Sequence, residues 1–513
     1  MMDDARKPMT RIPFAATAGM PVVFSARAGA NGYNVEGPAT YSVGADQVFA
    51  RWHWNGEQLV VENDRWGVQP IFWAATPNAV HVSPSLDALL DAGVKATLDD
   101  SALAVFLRIG YFVGNDTPFV AIRALPPAAR LTWTSEGVQL TTHATYPSAV
   151  SMPRADAAAQ FARLFTAAME RCTAGGAPSA VLLSGGHDSR HILFALQEIQ
   201  RLPKRCVTVE GYAPSPADDM PLAAALASAV GVRHTIVSRR SDRVEAHLES
   251  QALTHSCADE HVQFLPVRGY LQHLQFHALD GLGGDVLSQS QQLDGALHRL
   301  FVEGRANEVA ARVLGDPAQI EPALASLVGP TAVSRFTRDR AVARVAAEAG
   351  AHMARPNPIA SFLFANRMRR EIALAPYGVL GGCHVSTPFL DAPLVDFLLA
   401  LPFDAVADRR LHTDTLHRHY PQHTRIPFDS PRCGTDDRRA VRRDATDLLK
   451  KVSESRSGLV HRPAVAARIL KAIASGASRH LWFLPRLLHL LEVERRARGK
   501  VSAAGSSAAT RAA

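Results

Sequence analysis

The segment Val181-Leu182-Leu183-Ser184-Gly185-Gly186-His187-Asp188-Ser189-Arg190 decides the reading of this chain. A short apolar run passes straight into Ser-Gly-Gly. A helical pattern follows over Arg190–Gln200, with Ile192, Ala195, Leu196 and Ile199 on one face. Glycines let a backbone turn tightly and approach a ligand closely. Backbone N–H groups at a helix start, together with the Ser184 and Ser189 hydroxyls, form a cradle for phosphate oxygens. Asp188 is placed to hold a divalent cation that bridges those oxygens. A plain strand-to-helix turn would also use Gly-Gly and a capping serine. The order Ser-Gly-Gly-x-Asp-Ser behind an apolar strand favours phosphate over that reading. The loop lacks the Gly-Lys-Ser/Thr ending of a Walker loop.

Outward from this loop, short apolar strands alternate with helices. Ala180–Leu183, Cys206–Val209 and Thr235–Val237 read as strands; Ala155–Cys172, Arg190–Gln200 and Asp219–Val230 read as helices, the last stopped by Gly231. Strands this short and apolar, separated by helices, predict a parallel sheet covered on both faces, in a zone from about Ala155 to Leu411. The zone before it, about Phe14 to Pro147, reads as β-rich. Gln47–Trp54 alternates, Asn55-Gly56 marks a hairpin turn, and Gln58–Glu62 returns. Ile71–Trp73 and Ala79–Val82 form a further expected pair. Ser85 caps a helix over Leu86–Ala92 that Gly93 ends, and another helix covers Ser101–Ile109. From Leu411 to Lys500 the pattern is helical, and the Ala/Ser/Gly-rich tail Val501–Ala513 is expected to be disordered. The expected domains are therefore 1–150, 151–411 and 412–500, with a tail over 501–513.

Composition narrows the class. The 513 residues are 47% hydrophobic and 20% charged, as in an ordinary soluble protein. No apolar run reaches the roughly 18 residues of a membrane span, and Met1–Pro13 does not read as a secretory signal. The five cysteines, Cys172, Cys206, Cys257, Cys383 and Cys433, are widely spaced without a Cys-x-x-Cys pair. That argues against a disulfide framework or zinc site and fits a reducing cytoplasm. The net charge of +7 comes from scattered arginines. The run Arg438-Arg439-Ala440-Val441-Arg442-Arg443 reads as a solvated helix face, so no nucleic-acid partner is expected, and phosphate-bearing small substrates would also favour a positive field.

Two more segments matter. Leu279-Asp280-Gly281-Leu282-Gly283-Gly284-Asp285 again sets glycines behind apolar residues and offers Asp285 as a second carboxylate. Two carboxylates from separate loops suit a metal-bridged triphosphate. In Ser386-Thr387-Pro388-Phe389-Leu390-Asp391, Phe389 and Leu390 read as core and Asp391 as a helix N-cap.

The Ser184–Ser189 segment resembles the pyrophosphate loop of the ATP pyrophosphatase family, and Leu279–Asp285 resembles the GxGxDE segment of asparagine synthetases, with Val286 where a second acid is usual. Ser386–Asp391 with Leu394–Phe397 resembles the same family's RVPFLD…LVEF segment. Asn63–Phe72 resembles the RDxxGxxPLY turn of its glutaminase domain, and Gly110-Tyr111 with Ile122–Pro127 fits its linker. The resemblance covers roughly residues 45–430 in conserved order.

It implies an α/β chain: a β-rich, Ntn-hydrolase-like, degenerate glutaminase domain, then a parallel-sheet ATP pyrophosphatase domain (adenine nucleotide α-hydrolase-like) with a helical C-terminal part. It implies ATP and Mg²⁺ as cofactors. Ser184, Gly185, Gly186, Asp188 and Ser189 would bind nucleotide with Val209, Gly281 and Gly283, and Asp188 and Asp285 would hold the metal.

Three departures bear on activity. The chain begins Met1-Met2-Asp3 and its first cysteine is Cys172, so glutamine hydrolysis is expected to be absent. His384 stands where the family has Glu, as a candidate base. Tyr420–Ser430 lacks the family's Lys, leaving Arg425 or Arg432 to supply charge. The expected activity is adenylation of a small-molecule or peptide carboxylate and coupling to an amine or ammonia, in the manner of β-lactam synthetases or lasso-peptide cyclases. A biosynthetic partner protein and a homodimer stay open. The competing readings are a degenerate synthetase that binds nucleotide and a partner, and a pyrophosphatase-type enzyme acting on tRNA.

Overall fold

The computed structural model describes residues 22–29, 32–45, 47–212, 219–274, 276–288, 293–428 and 436–510. Two antiparallel five-stranded sheets build the N-terminal part. One runs in the order Gly32–Glu36, Phe24–Gly29, Ala79–Ser83, Phe72–Thr76, Arg123–Ala124. The other runs Gly137–Thr142, Ala129–Thr134, Leu59–Asn63, Val48–Trp54, Thr40–Ala45. Alternation along these strands puts Phe24, Trp52, Leu59, Val61, Val82 and Trp133 into one shared core between the sheets. The Asn55-Gly56 turn forms as expected, with Trp54 paired to Leu59. Asn55 Oδ1 accepts the backbone N–H groups of Glu57 and Gln58 at 3.0 and 2.8 Å. The helices Leu86–Asp91 and Asp100–Ile109 take their N-caps from Ser85 and Asp99.

The other face of the first sheet is not free. Phe72 and Ala74 join Leu89, Leu103 and Phe106 in a large core that continues into the C-terminal part. Polar ties cross the same boundary. Trp66 Nε1 donates to Leu390 O at 2.9 Å, and Arg65 pairs with Asp396. Arg369, buried, donates to the carbonyls of Gly67, Gly114 and Leu125.

The C-terminal part is built on a five-stranded parallel sheet in the order His234–Val237, Arg205–Val209, Ala180–Leu182, His277–Leu279, His384–Ser386. The last two strands, three residues each, escape a sequence reading because nothing so short shows a period. Among the described residues between Gly284 and Val379 every element is helical, so the alternation expected up to Leu411 is interrupted there and resumes with the strand His384–Ser386. Two of these elements, Phe364–Ile372 and Ala375–Val379, are π-helical.

Two expectations need correction. The helix after the glycine loop starts at His187, not Arg190, because Gly186 serves as its N-cap; His187, Asp188 and Ser189 form its first turn. Asp391 occupies an N-cap position but its side chain makes no capping bond. Its carboxylate instead receives Arg171 at 2.7 and 2.8 Å and Gln47 Nε2 at 3.2 Å, tying a helix of the second domain to the first. The last helix spans Leu484–Thr510.

Candidate active site

The parallel sheet reverses its winding between Ala180–Leu182 and His277–Leu279, since the chain first adds strands on one side and then on the other. In open α/β sheets the crevice at the carboxyl ends of such strands is where ligands bind. Both glycine-rich segments leave the sheet at this point. Between them lies a cavity of about 280 Å³, lined by Ser184, Asp188, Ser189, Val209, Asp219, Asp280, Gly281, Gly283 and Asp285 among others.

The first loop is drawn tight by its own hydroxyls. Ser184 N–H donates to Ser189 Oγ at 3.0 Å, the two hydroxyl oxygens lie 3.0 Å apart, and Gly186 N–H reaches Ser184 Oγ at 3.2 Å. Gly185 N–H donates to the carboxylate of Asp219, the first residue of the helix Asp219–Ala229. An anion therefore already sits on the phosphate-type cradle. Arg190, only 2% exposed, braces the loop from behind. It donates to Gly185 O at 3.0 Å and to Ile426 O and Pro427 O at 2.8 and 2.6 Å.

The second loop packs directly against Asp188. Asp285 N–H donates to Asp188 Oδ2 at 2.9 Å. A Cβ at Gly281 would come within 2.8 Å of Asp188 Cβ, and one at Gly284 within 2.5 Å of Asp188 Cγ. Gly283, with φ at +97°, makes the turn that brings Asp285 back into the cavity. Burial raises the Asp285 carboxyl above its ordinary range, opposed first by the charge of Arg367. Burial also pushes Asp280 up to about 6, against a hydrogen bond from Leu282 N–H.

Behind Asp188 lies a histidine chain. His412 Nδ1 is 3.4 Å from Asp188 Oδ1 and 3.2 Å from Ser288 Oγ, and its Nε2 is 2.9 Å from His191 Nδ1. Phe165 packs tilted against His191, ring centroids 3.9 Å apart, and Phe389 packs on Phe165 at 4.4 Å. Burial holds His191 and His412 well below the usual histidine range, so both are neutral and serve as hydrogen-bonding groups.

The sequence-predicted residues divide cleanly. Ser184, Asp188, Ser189, Val209, Gly281, Gly283 and Asp285 line the cavity, with Gly185 and Gly186 in the loop at its edge. The two residues expected to be catalytic do not join them. His384 pairs in register with His277 at the strand ends opposite the cavity, is exposed, and stacks on His277 at 4.1 Å. The physical reason is register: only Ser386 reaches the end of the sheet where Asp280 begins, and its carbonyl accepts Asp280 N–H at 3.0 Å. Arg425 is exposed on the turn after Pro421–His423 and does not line the cavity. Asp429, Ser430 and Arg432 lie outside the described residues.

Sequence reading missed Asp219, Asp280, Arg190 and His412. Asp280 was within the quoted glycine segment and Arg190 directly after the loop. Asp219 had only its place at a helix start, and His412 is one of three histidines in the helix Leu411–His419, with nothing local to single it out.

Residues 40–146 match the family model of a glutamine amidotransferase domain, and residues 160–292 match that of asparagine synthase. No individual curated protein matches the chain. The order of the two matches, a glutamine amidotransferase-type domain and then an asparagine synthase-type domain, supports an asparagine synthetase-like arrangement, and the second match supports an ATP-dependent, amide-bond-forming ligase type. No helix among the described residues is long and apolar enough to cross a membrane.

Proposed function

We propose that this protein adenylates a carboxylate with ATP, releasing pyrophosphate, and then couples the acyl group to an amine or to ammonia. The observation that carries this reading is the meeting of Asp188 and Asp285 across two glycine-rich loops at the winding reversal of the sheet. The residues present fit Mg²⁺. Asp188 and Asp285 offer hard oxygen ligands, Asp219 and Asp280 line the same cavity, and Gly281 and Gly284 leave open the space a Cβ would fill. Bound there, Mg²⁺ would neutralise and orient the phosphates.

The chain's own groups do the rest. The Gly185 and Gly186 N–H groups and the two serine hydroxyls hold the leaving pyrophosphate, displacing Asp219 from Gly185. Val207, Val209, Phe264 and Val267 give the cavity an apolar wall for a purine ring. Arg367 supplies positive charge beside Asp285. Residues 40–146 contain no cysteine, so the nitrogen comes from free ammonia or from an amine on the substrate and not from glutamine hydrolysed in that domain. A natural-product or peptide carboxylate suits such a reaction.

One observation favours a second reading. His384 and Arg425, the residues expected to serve the amide-forming step, stand outside the cavity, as they would in a nucleotide-binding scaffold. Incubation with Mg·ATP, a panel of carboxylates and an amine separates the two. Carboxylate-dependent formation of AMP with an amide product supports the ligase. AMP formed without amide rejects the coupling step, and formation of ADP rejects adenylation.

A further inference from the structure

A second large cavity, about 550 Å³, opens between the two domains and shares no lining residue with the nucleotide cavity. Trp73, Arg123 and Tyr146 face it from the amidotransferase-type domain. Arg344, Arg355 and Arg369 face it from the synthase-type domain. Its volume lies within the roughly 300–1,000 Å³ usual for small-molecule sites, and domain interfaces are a common place for them.

The charges in this cleft do not balance. Its lining carries four guanidinium groups, Arg123, Arg344, Arg355 and Arg369, against two carboxylates, Asp116 and Glu348. Both carboxylates are engaged. Asp116 receives Arg123 at 2.9 Å and Arg344 at 2.6 Å, and Glu348 lies 3.3 Å from Arg344. Arg369 is surrounded by backbone carbonyls and Asn115 Oδ1, and burial lowers its pKa to about 9. Among the described residues no ion pair joins Arg355 to a carboxylate; its guanidinium carbon lies 3.6 Å from the centre of the Tyr146 ring, a cation–π contact that leaves its charge to meet an oxyanion.

We propose that this interdomain cleft binds a small anionic molecule bearing a carboxylate or a phosphate group, with Arg355 on Tyr146 as its recognition residue. The cleft is joined to the nucleotide cavity by one element. Along the π-helical segment Phe364–Ile372, Ala365 and Arg369 line the cleft, Ile372 lines the nucleotide cavity, and the charge of Arg367 acts on Asp285. π-Helical turns occur often at functional sites. The domain that lacks a cysteine nucleophile thereby contributes one wall of a ligand site.

The test is titration calorimetry on the full chain, with succinate and with inorganic phosphate as probes. Mg²⁺ and a non-hydrolysable ATP analogue are added to saturation, so that phosphate cannot report on the Ser184–Ser189 loop. One probe binds at a single site, and Arg355→Gln weakens it by at least about tenfold while leaving affinity for the ATP analogue unchanged. Succinate alone identifies a carboxylate ligand, and phosphate alone a phosphate ligand. Binding of neither probe, or binding that Arg355→Gln leaves untouched, overturns the proposal. Failure of the ATP analogue to bind counts against the nucleotide reading only, since the succinate titration stands without it.

Discussion

Asp188 meets three neighbours at once: the Asp285 backbone N–H, the glycine faces at 281 and 284, and the neutral ring of His412. Its carboxylate is thus held in place before any cation arrives, which lowers the cost of ordering it on binding. Removing it should abolish ATP-dependent chemistry. His412 touches Asp188 and not the reacting atoms, so it is a positioning residue. His412→Ala should lower Mg²⁺ affinity and turnover by roughly 10–100-fold, the usual effect of losing a group that orients a metal ligand. His412→Asn, which keeps a hydrogen-bonding group, should restore part of the loss. A Mg²⁺ titration of ATP turnover checks this; a shift in melting temperature with unchanged Mg²⁺ dependence would assign His412 to the core alone.

At the scale of elements, the Gly281–Gly284 turn and the helix start at His187 fit only because two side chains are absent. Gly284→Ala places a methyl group 2.5 Å from Asp188 Cγ. The carboxylate can swing away more cheaply than the backbone can move, so activity should fall by about 100-fold while the thermal midpoint drops by only a few degrees. Activity and calorimetry on the same preparation decide it, and near-normal turnover would mean that Asp188 has more freedom than its contacts suggest. Trp66 makes the corresponding prediction for the domain boundary. Trp66→Phe leaves the Leu390 carbonyl without its indole donor, which should cost about 1–3 kcal/mol in urea unfolding. The glycine loops were legible in sequence because glycine and aspartate order carries chemistry directly. The strands His277–Leu279 and His384–Ser386 and the placement of His384 were not: strands that short have no period, and a one-residue change of register moves a side chain to the other face.

Across the whole molecule, buried titratable groups set the pH range of stability. His191, His247, His255, His261, His412 and His489 are all held below the ordinary histidine value by burial. They stay neutral in the folded chain but take up protons in the unfolded chain below about pH 6.5. The unfolded state then binds more protons, so stability is lost as pH falls from about 6.5 toward about 4 for His255 and about 3 for His247 and His489. Asp259, pushed up to about 7 by burial, and Glu371, pushed up to about 8, act in the opposite sense. They are protonated when folded and ionised when unfolded above about pH 4, so the stability they add at low pH is lost as pH rises through 7 and 8. The urea midpoint should therefore peak near about pH 6.5 and fall on both sides, and a flat profile from pH 5 to 8 would contradict this balance. The two-domain order was legible in the sequence from the order of its motifs. The interdomain cleft was not, because its arginines come from segments more than 200 residues apart, as in the Asp116–Arg344 pair.

Adenylation of a carboxylate rests on Asp188 and Asp285 together. Exchange of radiolabelled pyrophosphate into ATP, with Mg²⁺ and a panel of carboxylates, is the first measurement to make, on wild type and Asp188→Ala. Exchange should require one class of carboxylate and vanish in the variant. Exchange that persists in Asp188→Ala, or wild-type protein that binds no Mg·ATP, would overturn adenylation at this site.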